Sequence, residues 1–406
     1  MEEWKSVHIG DLGTIVTGKT PKTSIEDNYG GDTPFLSPSD DLSGKYVPIT
    51  GRTLSNKGVS EVKNCLLPPQ SVCVSCIGSD LGKSVITRCN TITNQQFNSI
   101  IPSNGFDTDF VYYAMQFVGP ILNALSKTST AVPIINKSTF SSFQIRVPDY
   151  STQCRISRVL SALDDKIELN HRINHNLEEQ AQALYKSWFV DFEPFQEGEF
   201  VESELGLIPK GWKVVSLDSL CSIISRGFSP KYSESTTDVV LGQRCVRNNM
   251  IDLSVSKTHV PKNLGERALC RYDILINSTG MGSLGRVAQI YFKPERMTYD
   301  SHLTLVRAKS STLEMYLGRN LLSRQDEIEN MAVGSTGQTE LPRDSVKAMS
   351  ILLPCDTVLD QFGASIRAIA GRIQSNLEEN VGLTAMRDYL LPKLMSGELK
   401  INDLDC

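Results

Sequence analysis

Apolar residues recur at alternating steps of three and four along two stretches of this chain. In the first, Ile156, Leu160, Leu163, Ile167, Asn170, Asn174, Leu177, Ala181, Leu184 and Trp188 trace a heptad seam. In the second, Phe362, Ile366, Ile369, Ile373, Asn376, Asn380, Leu383, Arg387, Leu390 and Leu394 follow the same spacing. The pattern predicts one long helix over 151–190 and another over 356–397, and ~36 residues of such a helix give a spacer of roughly 54 Å at 1.5 Å per residue. Both seams carry two central asparagines. A buried seam Asn costs stability and pairs best with another Asn, so it fixes register and orientation. The two helices are therefore expected to pack antiparallel, with the Asn pairs near their midpoint. The packing residues would be Leu163, Ile167, Asn170, Asn174 and Leu177 on one side, and Ile369, Ile373, Asn376, Asn380 and Leu383 on the other. The alternative is two separate amphipathic helices, each lying on its own domain. Arg387, where the first copy has Ala181, predicts that one end of the seam is looser or faces a partner.

The likeness between the seams extends into an internal repeat. Adding 206 carries Ser129-Thr130 onto Ser335-Thr336, Ile145 onto Ile351, Pro148 onto Pro354 and Asn170 onto Asn376. Upstream, Trp4-Lys5-x-Val7 returns as Trp212-Lys213-x-Val215, and Leu81-Gly82-Lys83 as Leu284-Gly285-Arg286. Ahead of each helix lies a mixed region. Short apolar runs at 71–77, 272–277 and 286–292 are bounded by Gly, Pro, Asn and Ser and read as strands. Helical patterns stand at 109–125 and 313–330. The expected fold is α+β: two mixed, mostly β domains separated by two long antiparallel coiled-coil helices in a pseudo-two-fold repeat. The segments are 1–150, the helix 151–190, an acidic solvated connector 191–211, 212–355, the helix 356–397 and a tail 398–406.

Composition adds limits. The 406 residues carry 41 Lys and Arg against 46 Asp and Glu, a formal net charge of −5, with 40% hydrophobic residues. That balance, taken whole, argues against a nucleic-acid partner. Its distribution changes the argument: the first mixed region nets −1, the first helix 0, the connector −5, the second mixed region +4 and the rest −3. The acidity lies outside the mixed regions, which together hold a small positive excess, so any attraction of this chain alone to a polyanion should be weak. No apolar run approaches the ~20 residues of a membrane span. The acidic Met1-Glu2-Glu3-Trp4 start is unlike a signal peptide. Ten cysteines are dispersed. Cys73 and Cys76 form a Cys-x-x-Cys inside a strand pattern, with no second pair at zinc spacing, and read as reduced buried thiols. No metal site and a cytoplasmic setting are expected.

Two motifs invite catalytic readings. Gly13-Thr14-Ile15-Val16-Thr17-Gly18-Lys19-Thr20 fits the phosphate-loop pattern, which needs a strand before it and a helix starting at the Lys. Pro21 follows at once, so an exposed basic loop is favoured. Gly280-Met281-Gly282-Ser283-Leu284-Gly285 matches a dinucleotide fingerprint, but the residues after it have strand character, so a glycine-rich hairpin is expected. Glu398-x-Lys400 stands past the helix end and reads as solvated tail. No amino-methyltransferase motif and no nucleophilic or paired-carboxylate constellation is found, so no catalytic residues are expected.

The architecture, together with three stretches, resembles the specificity subunits of type I restriction–modification enzymes. Leu184-Tyr185-Lys186-Ser187-Trp188-Phe189-Val190-Asp191-Phe192-Glu193-Pro194-Phe195 looks like the end of that family's central conserved region. Glu204-Leu205-Gly206-Leu207-Ile208-Pro209-Lys210-Gly211-Trp212 looks like the entry to its second target recognition domain. The stretch from Asp388-Tyr389-Leu390-Leu391-Pro392 through Gly397-Glu398-Leu399 is similar to its C-terminal signature. The resemblance implies a non-catalytic DNA-recognition subunit. Each mixed domain would read half of a bipartite, asymmetric double-stranded site, and the helices would set the gap. It also implies docking of two methyltransferase subunits and of restriction/translocase subunits, with S-adenosylmethionine, ATP and Mg on those partners and no cofactor on this chain.

Residue types suited to DNA lie in the loops: Lys19, Thr20, Lys22, Lys83, Thr128 and Ser129 in the first half. In the second they are Arg226, Lys231, Gln243, Arg244, Arg247, Asn248, Asn249, Arg286, Ser335, Thr336 and Gln338. Arg pairs with guanine and Asn or Gln with adenine, while Lys, Ser and Thr mostly hold phosphates. For any one of them the alternative is a solvated loop residue. Two rival classes remain, a two-headed coiled-coil protein scaffold and a phosphate-loop NTPase resting on 13–20.

Overall fold

The computed structural model describes residues 4–78, 80–126, 134–263, 265–334 and 339–401. It divides into two compact units: residues up to Asn170 with those from Glu379 onward, and His171–Glu378. The divisions fall inside the two long helices, Tyr150–Phe189 and Asp356–Ser396.

Each unit has the same strand plan. In the first, a four-stranded antiparallel sheet runs in the order Gly13–Thr17, Phe97–Pro102, Val72–Ser75, Ser84–Ile86. A three-stranded sheet sets Tyr29–Leu36 between Thr53–Leu54 and Ile92–Thr93, the last pairing parallel. Lys5–His8 pairs with Gln144–Val147, which leads into the long helix. The second unit repeats all three sheets. Cys221–Arg226, Leu303–Ala308, Ile274–Asn277 and Val287–Gln289 form the first. Val239–Leu241 lies between Lys257–Thr258 and Met297–Tyr299, and Lys213–Ser216 pairs with Ser350–Leu353. A helix packs on each large sheet, Thr108–Ser126 in one and Ser311–Leu322 in the other. The 313–330 pattern breaks after Leu322 and resumes at Gln325–Asn330, because Arg324 leaves helical geometry and donates to the Ser350 carbonyl at 2.8 Å.

The long helices start and stop where chemistry satisfies their ends. Asp149 accepts from the Thr152 N–H at 3.1 Å and its hydroxyl at 2.9 Å, capping the first. Gly397, at φ +75°, closes the second beneath the Trp4 ring. Within the first unit the helices pair antiparallel through Asn170, whose amide donates to Asn380 Oδ1 and to Glu379 Oε2, both at 2.8 Å. Within the second, Asn376 donates to Asn174 Oδ1 at 2.7 Å, and Asn174 to the Ile373 carbonyl at 3.4 Å. All four asparagines are buried, as is Ile373, whereas Leu163, Ile167, Leu177, Ile369 and Leu383 are half-buried.

Two expectations need correction. Arg387 is not a loose end: its guanidinium meets the buried Asp164 at 2.9 Å, and the other Asp164 oxygen accepts from Tyr113 at 2.6 Å. A seam position without a methyl side chain is filled by a charge with a partner facing it. The connector is not simply solvated either. Phe200–Ser203 and Gly206–Pro209 form a hairpin turning at Gly206 (φ +89°). Ile208 is buried, and Phe192 and Phe195 meet Trp212 edge-on, with ring centroids 5.8 and 4.9 Å apart. Alternating apolar residues among the acidic ones supply that packing.

Candidate nucleic-acid interface

In the first unit, four segments converge at one end of the large sheet. The N–H groups of Gly18 and Lys19 donate to the carbonyls of Phe97 (3.1 Å) and Thr93 (2.9 Å). A side chain at Gly18 would begin 2.1 Å from the Asn94 carbonyl oxygen, so only glycine permits this crossing. The Cys76 N–H donates to Gln96, and the Ile135 N–H to Cys76. Thr20 donates to Gln95 Oε1 at 2.7 Å, Lys19 is exposed, and Lys22 is exposed with its N–H on Glu61. Lys83 pairs with Asp80 at 2.7 Å.

The second unit builds the same convergence from other residues. A side chain on Gly227 would strike the Asp300 carbonyl oxygen at 2.2 Å, matching Gly18. Leu341 N–H donates to Ser278 (2.9 Å), and Asn277 Nδ2 to the Gln243 carbonyl (3.0 Å). Gln243 Oε1 faces Gly280, is buried and has no partner among the described residues. Arg244 is exposed, with no ion pair among the described residues. Arg286 donates to the Gly282 carbonyl at 2.7 Å. Arg226 is committed inward, to Leu341 O at 2.6 Å, Ser301 O at 3.2 Å and Glu340 at 2.9 Å, which makes it a strut for the rim.

Arg247, Asn248 and Asn249 form a different group. They sit on the hairpin Val246–Arg247/Met250–Ile251, whose two-residue turn puts Asn248 at φ +51° and Asn249 at +62°. Asparagine is favoured there because it tolerates left-handed backbone. Asn249 also accepts from Gln325 at 3.0 Å. Lys231 is exposed on a neighbouring segment. Thr128, Ser129, Ser335, Thr336 and Gln338 lie outside the described residues, although Ile134 and Glu340, next to those segments, bridge to Ile77 and Thr279 at the two rims.

Neither catalytic motif folds as its chemistry requires. Gly13–Thr17 is a strand, no helix begins at Lys19, and the N–H groups that would cradle phosphate are bonded to protein carbonyls. Gly280 and Gly285, at φ +100° and +84°, turn an antiparallel hairpin between Ile274–Asn277 and Val287–Gln289. Burial pushes the Cys73 thiol up to about 12 and that of Cys76 up to about 11. Among the described residues no His, Cys, Asp and Glu cluster could hold a metal, and no helix is long and apolar enough to cross a membrane.

Two rims of one plan, carrying unlike polar side chains, find a match among known proteins. Residues 1–179 fit the family described as the type I restriction modification DNA specificity domain. The type I restriction enzyme MjaIX specificity subunit of Methanocaldococcus jannaschii is 28% identical over 419 positions, covering 99% of this chain and 95% of that one. The HindI specificity subunit of Haemophilus influenzae is 22% identical, covering 98% and 100%. Residues 1–179 thus match the type I specificity-domain family, and the relatives similar to nearly the whole chain are named type I specificity subunits. A crystal structure of the S subunit from M. genitalium superposes with a TM-score of 0.58 at 17% identity, covering 97% and 96% of the two chains, which shows the shared fold.

Sequence reasoning missed several residues of these rims and of the segments beside them. Gln95 holds Thr20, and His302 Nδ1 lies 2.7 Å from the Thr279 hydroxyl. Lys257 and Lys262 lie over the rings of Tyr232 and Phe228. The polar run Asn94-Gln95-Gln96 between two strand patterns was the signal available for the first. The others carry no local motif, since each depends on a chain crossing that sequence does not display.

Proposed function

We propose that the two units read the two halves of a bipartite, asymmetric DNA site, and that the long helices set the unread gap between them. What carries this reading is the repetition of one strand plan with different side chains at the same rim. Thr20 and Gln95 stand in one, Gln243 and Arg244 in the other. Readers that differ only where they touch bases would accept unlike half-sites, and the paired asparagines would keep the helix register, hence the gap, constant. The chain would act with two methyltransferase subunits, which bring S-adenosylmethionine, and with restriction/translocase subunits using ATP and Mg, in the cytoplasm. No cofactor is assigned to this chain.

The test is Arg244→Ala in the complex with its methyltransferase partner. If Arg244 reads a base, binding to the cognate duplex weakens by about 1–3 kcal/mol and discrimination at one position relaxes. An equal small loss on every sequence would reduce Arg244 to a phosphate contact. Complexes that fail to discriminate among duplexes at all would count against the reading itself.

A further inference from the structure

Beyond the rim, the second unit carries a flap in which residues 226–233 are laced to 257–262. Val260 N–H donates to the Lys231 carbonyl at 2.8 Å and Ser233 N–H to Thr258 at 3.2 Å, while Tyr232 bridges His259. The Lys257 ammonium sits 4.8 Å from the Tyr232 ring and that of Lys262 4.4 Å from the Phe228 ring. Lys231, Lys257 and Lys262 are exposed, Tyr232 is 54% exposed, and none of the three lysines has a carboxylate partner among the described residues. Glu234 and Glu266 are exposed nearby, and Asp238 is taken by Arg296 at 2.6 Å. A lysine resting on an aromatic face keeps its full charge and loses some of its conformational freedom. Ordered ammonium groups of this kind suit phosphate oxygens, which Lys meets as a point charge.

The topologically equivalent part of the first unit is built otherwise. Residues 17–65 hold six Lys and Arg and six Asp and Glu, whereas 226–267 hold seven against four. Lys45 is buried against Asp109 at 2.8 Å, Lys57 pairs with Asp27 at 3.0 Å, and Glu61 stands beside Lys22. Electrostatic attraction for a polyanion is therefore cancelled locally in one reader and left standing in the other.

We propose that the flap bearing Lys231, Lys257 and Lys262 is a phosphate-binding strip for duplex DNA. Through it the second unit supplies most of the salt-sensitive grip, and the first unit acts mainly through uncharged polar contacts. The inference rests on the DNA-recognition reading above. It adds an asymmetry that the shared strand plan does not contain.

The experiment measures binding of the methyltransferase complex to a duplex carrying its methylated site, as a function of salt. The site is mapped beforehand by sequencing the modified genome. Each phosphate contact adds about 0.9 to the slope of log K against log salt, so the combined variant K231A/K257A/K262A should lower its magnitude by roughly 2.7. Preference for cognate over scrambled duplex should persist, because phosphate contacts carry no sequence information. The matching variant K22A/K57A/K63A in the first unit should lower the slope by less than about 1. All these lysines are exposed, and an unchanged melting curve confirms the fold. Equal slope losses from the two variants, or a loss below 1 from the first, would overturn the strip while leaving DNA recognition intact. A wild-type complex without cognate preference would instead overturn the recognition reading.

Discussion

Arg319 offers the sharpest test of how the second unit is held to its helices. Its guanidinium, 1% exposed, meets Glu178 of the first long helix at 2.6 Å and donates to the Tyr291 hydroxyl. Removing one partner of such a pair leaves the other charge uncompensated in the interior and costs about 3–5 kcal/mol. Arg319→Met or Glu178→Leu alone should therefore lower Tm by roughly 10 °C, at about 2–4 °C per kcal/mol for a unit of this size. Replacing both restores most of the loss, because Glu178 Oε2 and Arg319 Nε are themselves buried without partners among the described residues and the pair is poorly repaid. The double variant still strands the buried Tyr291 hydroxyl, a residual cost of about 1–3 kcal/mol. Adding Tyr291→Phe should remove that as well. Calorimetric or circular-dichroism melts of the four variants decide the matter. A double variant as unstable as the worse single, with no recovery in the triple, would refute the reasoning and mean that the pair contributes net stability.

Two further outcomes are expected. Asn170→Leu together with Asn376→Leu breaks one member of each asparagine pair and should loosen helix register. Methylation assays on duplexes whose half-sites are moved apart one base pair at a time should then show a broadened spacing preference, and an unchanged one would count against the helices as spacer. Thiol chemistry should follow burial. Bonds from the Thr357 hydroxyl and then the Val358 N–H hold the exposed Cys355 below the ordinary thiol range, while burial pushes Cys73 and Cys221 up to about 12. A lowered pKa means more thiolate at a given pH, so alkylation near neutrality should mark Cys355 first and reach Cys73 and Cys221 only after unfolding. Peptide mapping that finds native Cys73 labelled as fast would contradict the packing.

The helices were legible because their determinants are local and periodic. The seam spacing announced two long helices and singled out their asparagines, and the structure shows which Asn meets which: Asn170 with Asn380, Asn174 with Asn376. The repeat likewise announced two units of one plan. The glycines at 280 and 285 were readable as a turn because strand character resumed after them. The functional surface was legible only as residue types. Arg226, Arg244 and Lys231 look alike in sequence, yet one is a strut, one is exposed on a rim and one belongs to a flap. Which fate each meets depends on where Gly18 and Gly227 let chains cross, and on pairings between segments tens of residues apart. A seam repeats its contacts every turn and so writes itself along the chain. A rim is made once, by parts distant in sequence, and its chemistry exists only when tertiary packing has brought them together.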